Sequence, residues 1–163
     1  MRMTAASEYG CLALLAIGEC DSEWCKRQEI IERFAIPAAF LEQILRKLTA
    51  AGFVASRRGA DGGFRLSRAA SEIVIADVVR AMDGPLAPVR SVSTNFYQPS
   101  PVEASVAFHA LFRRVRDAIA AILEETTLED ILSYESNVRE RNARRTSAGR
   151  GRRRVARPAP RRS

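Results

Sequence analysis

The sequence predicts a mostly α fold carrying one small β-hairpin. Three observations carry that expectation. Residues 37–51 place Leu41, Ile44, Leu45 and Leu48 on one stripe at helical spacing. The stretch RRGADGGFRLS, residues 57–67, is a glycine-rich turn that runs into strand-like alternation. Residues 103–124 form a long segment whose apolar residues recur at helical spacing.

Taken in order, Thr4–Ile17 crowds Cys11, Leu12, Leu14, Leu15 and Ala16 into a first helix, broken by the polar loop Gly18–Glu23. Residues 25–34, CKRQEIIERF, form a short amphipathic helix with Ile30, Ile31 and Phe34 inward. Ala35-Ile36-Pro37 is a tight connection, and proline suits a helix's first turn, where its missing N–H costs nothing. The helix over 37–51 stops at Gly52. Phe53–Ser56 and Gly63–Ser67 read as paired strands, with Arg57–Gly62 as the hairpin tip. Ile73–Ile75 is expected to add a third short strand, and Ala76–Met82 a brief helix closed by Asp83-Gly84-Pro85. Residues 86–101 hold three of the seven prolines and several serines and are read as a loop. Glu103–Glu124 is a long helix with Val106, Leu111, Val115, Ile119 and Ile122 inward. It is too apolar for so small a chain to cover alone, so it is expected to pack against its twin in a homodimer. Thr127 and Asp130 are spaced as a capping box, starting a last short helix through about Tyr134.

Two short helices joined by a brief turn, then a hairpin, make a winged helix-turn-helix. A glycine-rich turn can also cradle phosphate. A P-loop, however, needs Lys and Ser or Thr after its last glycine, opening a helix, whereas Gly63 is followed by Phe-Arg-Leu in a strand. Docked on double-stranded DNA, the helix 37–51 would present Ala38, Ala39, Glu42 and Gln43 to base edges in the major groove. Glutamate accepts from the cytosine amino group and glutamine pairs with adenine. Arg46 and Lys47 are placed for phosphates, and Arg57 and Arg58 at the hairpin tip for a narrow minor groove. The plain alternative is a solvated helix face and a tight turn.

The formal charge of +7 is not spread evenly. Residues 139–163 hold eleven arginines and one glutamate, a net of +10, which leaves −3 on the other 138 residues. With one valine and no larger apolar residue, this tail is expected to be disordered from residue 135 on and to attract phosphates without sequence preference. No apolar run approaches the roughly eighteen residues that would span a membrane. The start, MRMTAASEYG, lacks the pattern of a secretory signal, and three cysteines give no disulfide framework, so a cytoplasmic protein is expected. One histidine, no carboxylate pairing and no nucleophile motif argue against an enzyme: no catalytic residue is assigned.

The run IPAAFLEQILRKLTAAGFVASRRGADGGFRLSR, followed by EIVIADVVRAMDGPLAPV and later AILEETTLEDIL, resembles the Rrf2 family of bacterial winged-helix regulators over roughly residues 1–133. The resemblance implies a homodimeric regulator, expected to be a repressor, on short palindromic operators. It matches Glu42 to a base-reading glutamate and Arg58 to a minor-groove arginine of the wing. Many relatives hold an iron–sulfur cluster through three cysteines in the loop before the long helix. Here that region, RSVSTNFYQPSPVEASVAFHALF, has none; Ser91, Ser100 and Ser105 stand where cysteines would plausibly fall, and His109 where some relatives supply a nitrogen. A serine hydroxyl is a far poorer iron ligand than a thiolate. No cluster, other cofactor or metal is therefore expected.

The cysteines lie elsewhere. Cys11 is expected in the core. Cys20 and Cys25 bracket the loop before the second helix as a possible redox pair or metal half-site, with the Cys25 pKa lowered by the helix N-terminus, Lys26 and Arg27. The expected organisation is a DNA-binding domain over 1–83, a loop over 84–102 at the sensor position, dimerisation and C-terminal helices over 103–134, and a tail over 135–163. Two rival readings stand beside a sequence-specific regulator. One is a non-specific nucleic-acid-associated protein driven by the tail. The other is a dimer that has lost DNA reading and works through protein contacts.

Overall fold

The computed structural model describes residues 3–154, with side chains described through residue 145. Its helices are α1 (Ala5–Gly18), α2 (Arg27–Phe34), α3 (Ala38–Ala50), α4 (Ile75–Asp83), α5 (Val106–Glu125) and α6 (Leu128–Arg154). Strands β1 (Val54–Arg57) and β2 (Gly63–Leu66) pair antiparallel, with Val54 opposite Leu66 and Arg57 opposite Gly63.

Helix α1 is apolar on nearly every side and therefore sits in the middle. Thr4 caps it, accepting from the Ala6 N–H at 3.1 Å. Its Leu14 joins Ile30 of α2, Leu41, Ile44 and Leu48 of α3, Val54 of β1 and Val78 of α4 in one buried cluster. Each such side chain contributes about 1.5–3 kcal/mol on burial. That cluster fixes the angle between α2 and α3, and with it the attitude of the exposed face of α3.

Asp83, the last residue of α4, holds the start of α1. It accepts from the Thr4 N–H at 2.7 Å, from the fully buried Ser7 hydroxyl at 2.6 Å, and from the Thr4 hydroxyl. Burial opposes ionisation here, but the hydrogen bonds from Ser7 and Thr4, with Lys47 nearby, prevail and hold the carboxyl below its ordinary value. A depressed folded pKa means stability that is complete above the ordinary carboxylate range and lost as pH falls through the folded value. Asp83→Asn is expected to cost about 1–3 kcal/mol at neutral pH, and the loss relative to the wild type should shrink as the wild-type carboxyl protonates. Urea unfolding followed at pH 7 and at pH 3 measures both.

Four features differ from the sequence expectation. Ile73–Ile75 is not a third strand. Val74 makes a single bridge to Thr127, and the neighbouring N–H groups follow it: Leu128 donates to the Ile73 carbonyl at 2.8 Å and Ile75 to that of Thr126 at 2.9 Å. Ile75 then enters α4, so no residues remain for a strand. Helix α5 begins at Val106, because Pro101–Ala104 is a separate 3-10 turn and Ser105 caps the helix with its side chain. Its apolar stripe does not face the chain's own core: Val106 is 85% and Ile122 67% exposed, with Leu111 and Val115 exposed too and Ile119 half-buried.

The fourth is the C-terminal helix, which does not stop at Tyr134. Its start is as expected, with the Thr127 N–H donating to Asp130 at 2.9 Å and Asp130 N–H to the Thr127 hydroxyl at 3.2 Å. It then continues to Arg154, through residues expected to be disordered. Over 135–145 the residues are mostly exposed, so burial is not what carries it there. Glu135–Arg139 and Glu140–Arg144 are ion pairs with the acid four residues ahead of the base, and arginine and alanine are good helix formers. Arg139 also pairs with Glu19 at 2.6 Å, tying α6 to the end of α1. The rest of the predicted tail, 155–163, lies outside the described residues. Among the described residues, no helix is long and apolar enough to cross a membrane.

Candidate nucleic-acid interface

Helices α2 and α3 meet at Ala35, which takes a left-handed φ of 51°. Ile36 is buried beneath the turn and Pro37 precedes α3, accepting from the Phe40 and Leu41 N–H groups at 2.9 Å. With Leu41, Ile44, Leu45 and Leu48 buried, the outer face of α3 carries Ala38, Ala39, Glu42, Gln43 and Arg46. Glu42, Gln43 and Arg46 make no hydrogen bond or ion pair within the chain among the described residues, so their polar atoms are available to a partner. Lys47 is different. Its ammonium donates to the Met82 carbonyl at 3.3 Å, at the end of α4, so it turns away from Arg46 rather than joining it.

The wing is braced from the loop before α2. The Cys25 N–H donates to the Phe64 carbonyl at 2.8 Å and the Phe64 N–H to that of Cys25 at 2.9 Å, a third rung beside β2. This approach demands Gly63, where a Cβ would lie 2.5 Å from the Cys25 carbonyl oxygen. Gly62 is demanded as strictly: its Cβ would lie 2.1 Å from the Arg57 carbonyl oxygen. Lys26 donates to the carbonyls of Ala60 and Gly62, each at 2.6 Å, and so holds the tip. Trp24 lies beneath two cations, Arg57 at 4.6 Å and Arg65 at 4.7 Å from its ring centre, and Arg65 pairs with Glu23 at 3.2 Å.

The two tip arginines thereby separate. Arg57 is held on Trp24 and bonds the Asp61 carbonyl, so it shapes the wing. Arg58 is exposed and has no partner among the described residues. Between α3 and the wing runs a groove of about 510 Å³, with Arg27, Glu42, Arg46 and Thr49 on the helical side and Ser56 and Phe64 on the strand side. Leu45 and Ala50 complete its lining, so the strip is concave with an apolar floor and polar groups from both elements. Of the eight residues expected at this surface, Lys47 and Arg57 are engaged within the chain, and the other six are exposed. Sequence reading missed Lys26 and Trp24. The lone tryptophan immediately before a Cys-Lys-Arg run was the available signal, and it carries no periodicity.

The cysteines take distinct roles. Cys11 packs between the two core clusters, and burial, then the Asp83 charge, push its thiol up to about 11. Cys25 is 2% exposed, and its pKa is raised, not lowered as expected. Burial is the main cause, followed by Cys20 and the Glu29 carboxylate. Lys26 cannot offset this, because its ammonium is turned to the wing carbonyls. Cys20 and Cys25 are free thiols, brought together with Glu29.

In the loop before α5, the Ser91 and Ser100 hydroxyls bond each other at 2.8 Å, and Ser105 caps α5 by accepting from Phe108 N–H at 3.4 Å. The buried Nε2 of His109 has no partner among the described residues. The candidate donors along this segment are hydroxyls and one imidazole, with no thiol among them.

The sequence profile of the Rrf2 family, described as an iron-dependent transcriptional regulator, matches residues 3–134. The chain is 30% identical over 141 residues to the HTH-type transcriptional regulator CymR of Bacillus subtilis, covering 86% of this chain and 96% of that one. It is 32% identical over 136 residues to the HTH-type transcriptional regulator IscR of Photorhabdus laumondii, covering 83% and 81%. Among solved structures, CymR, described as the global cysteine regulator of B. subtilis, matches with a TM-score of 0.65 at 28% identity, over 82% of this chain and 98% of that one. The IscR of T. potens matches with a TM-score of 0.61 at 25% identity, over 83% and 88%.

Proposed function

Because the chain belongs to the Rrf2 family of winged helix-turn-helix transcriptional regulators, we propose that it acts as a homodimeric repressor on a palindromic operator. The observation that carries the reading is the unpaired row Glu42, Gln43 and Arg46 on the exposed face of α3, of which Glu42 and Arg46 line a groove shared with the wing. Two such units related by a twofold axis would set two recognition helices in successive major grooves, with Arg58 of each wing in the flanking minor groove. A dimer seated on a promoter excludes polymerase, which is the simplest route to repression. The mechanism is recognition and not catalysis, in a cytoplasmic protein.

The dimer reading is supported by α5. Phe108, Leu111, Val115, Ala118 and Ile122 recur at alternating steps of three and four, the spacing of a helix–helix seam, and all are exposed in the single chain. The segment before α5 offers hydroxyls and an imidazole but no thiol, so we propose that it holds no iron–sulfur cluster, although the family description names iron dependence.

Selection of random duplexes in excess competitor DNA tests this. The expected outcome is an enriched inverted repeat. Enrichment of nothing would favour the non-specific reading driven by the Arg-rich segment. A chain truncated after Arg145 keeps the Arg139–Glu19 pair and should recover the same repeat, with a shallower dependence of affinity on salt. A truncated chain that loses both would again favour the non-specific reading.

A further inference from the structure

We propose that Cys20, Cys25 and Glu29 form a binding site for a single divalent ion of the zinc class, at the root of the wing. The three ligand atoms lie within 4.8 Å of one another, and the Cys20 Sγ is 3.6 Å from Glu29 Oε2. Zinc bonds of about 2.3 Å to sulfur and about 2.0–2.2 Å to oxygen, at tetrahedral angles, separate ligand atoms by roughly 3.4–3.8 Å. The Cys20–Glu29 distance already has that value. The remaining separations are at most 4.8 Å, about 1 Å beyond the bound spacing.

The three ligands come from different parts of the chain. Cys25 is fixed to the wing by its paired hydrogen bonds with Phe64. Glu29 is fixed on the first turn of α2, where the same Oε2 accepts from the Lys26 N–H, an outer contact that orients a ligating carboxylate. Cys20 rides on the loop leaving α1 and is half-buried. Beside them opens a cavity of about 400 Å³, which gives an ion access from solvent. Arg33 and Arg139 border it, but both are paired with Glu19, at 2.9 and 2.6 Å. Ser22 Oγ, 3.4 Å from Cys20 Sγ, or a water completes the fourth position.

Two thiolates with one carboxylate select zinc-class ions over magnesium or calcium, which prefer all-oxygen sites. Loading converts one M²⁺, two thiols and one carboxylate into a complex of net charge −1, and two protons leave. It would tie the end of α1, the start of α2 and the wing together. Any effect on DNA affinity rests on the regulator reading above; ion binding itself does not.

Titration of the reduced full-length protein with Co²⁺ alone, without oxygen, tests the site. The expected result is one equivalent bound, with a thiolate-to-cobalt charge-transfer band, the strong visible absorption of a tetrahedral ion, release of two protons, and displacement by Zn²⁺. Cys20→Ser, a near-isosteric change at a half-buried position, should weaken binding at least about 100-fold, beyond the loss usual for an outer-shell partner. Glu29→Gln should weaken it while keeping the charge-transfer band. A wild-type protein without that band, a band indifferent to Cys20→Ser, or an affinity indifferent to Glu29→Gln would overturn the proposal. Since DNA is absent from the titration, none of these outcomes bears on operator recognition.

Discussion

A chain carrying Leu111→Asp and Val115→Asp is expected to sediment as a monomer and to lose about 10²–10⁴-fold in affinity for the full operator. The argument starts from α5, a helix of 20 residues with none fully buried. At about 1.5 Å per residue it is roughly 30 Å long, enough for a seam of several turns. Leu111 and Val115 lie at the middle of its exposed stripe and face no core residue of their own chain. Each buried aliphatic side chain contributes about 1.5–3 kcal/mol, twice over in a symmetric pair, and a carboxylate facing its twin reverses the sign. Separated subunits must then bind each half-site independently, losing the effective concentration that linkage provides. Far-ultraviolet circular dichroism should be unchanged, because Leu111 and Val115 belong to neither buried core cluster of the chain. A double variant that remains dimeric, or a wild-type chain that is monomeric at micromolar concentration, would remove α5 as the interface.

The helix-turn-helix and the hairpin were legible in the sequence because their signals are local. A stripe of Leu41, Ile44, Leu45 and Leu48, a proline at the turn and two adjacent glycines each constrain their own neighbours. What was not legible depends on partners distant in the chain. Lys47 sits beside Arg46 and reads as its companion, yet the Met82 carbonyl, 35 residues on, turns it away. Cys25 reads as a helix-terminal thiol of lowered pKa, yet its pairing with Phe64 buries it and reverses the shift. Arg57 and Arg58 are adjacent and identical, and only the Trp24 ring distinguishes them. The extension of α6 escaped for the opposite reason. A composition without large apolar residues predicts disorder, whereas Glu–Arg pairs four apart support a helix that needs no core.

Glu42→Ala and Arg58→Ala should fail in different ways, and the difference decides between reading DNA and merely holding it. Glu42 is on the exposed face of α3, has no partner in the chain and lines the groove toward the wing. If it accepts from a base, its loss should cost about 1–3 kcal/mol, roughly 5–150-fold, at one base pair of each half-site, and leave competing sequences bound as before. Arg58 is a free cation at the wing tip. Its loss should weaken binding to all sites and lower the salt slope by about one per wing, with a larger effect where flanking A·T pairs narrow the minor groove. Arg57→Ala provides the contrast, since releasing Trp24 should loosen the wing and lower thermal stability, which Arg58→Ala should leave unchanged. Competition binding against single-base operator variants at two salt concentrations separates these cases. If Glu42→Ala discriminates bases as the wild type does, α3 does not read sequence through this residue. If Arg58→Ala is silent as well, the surface is better explained as a site for protein contacts, because phosphate attraction alone would still have registered the lost charge.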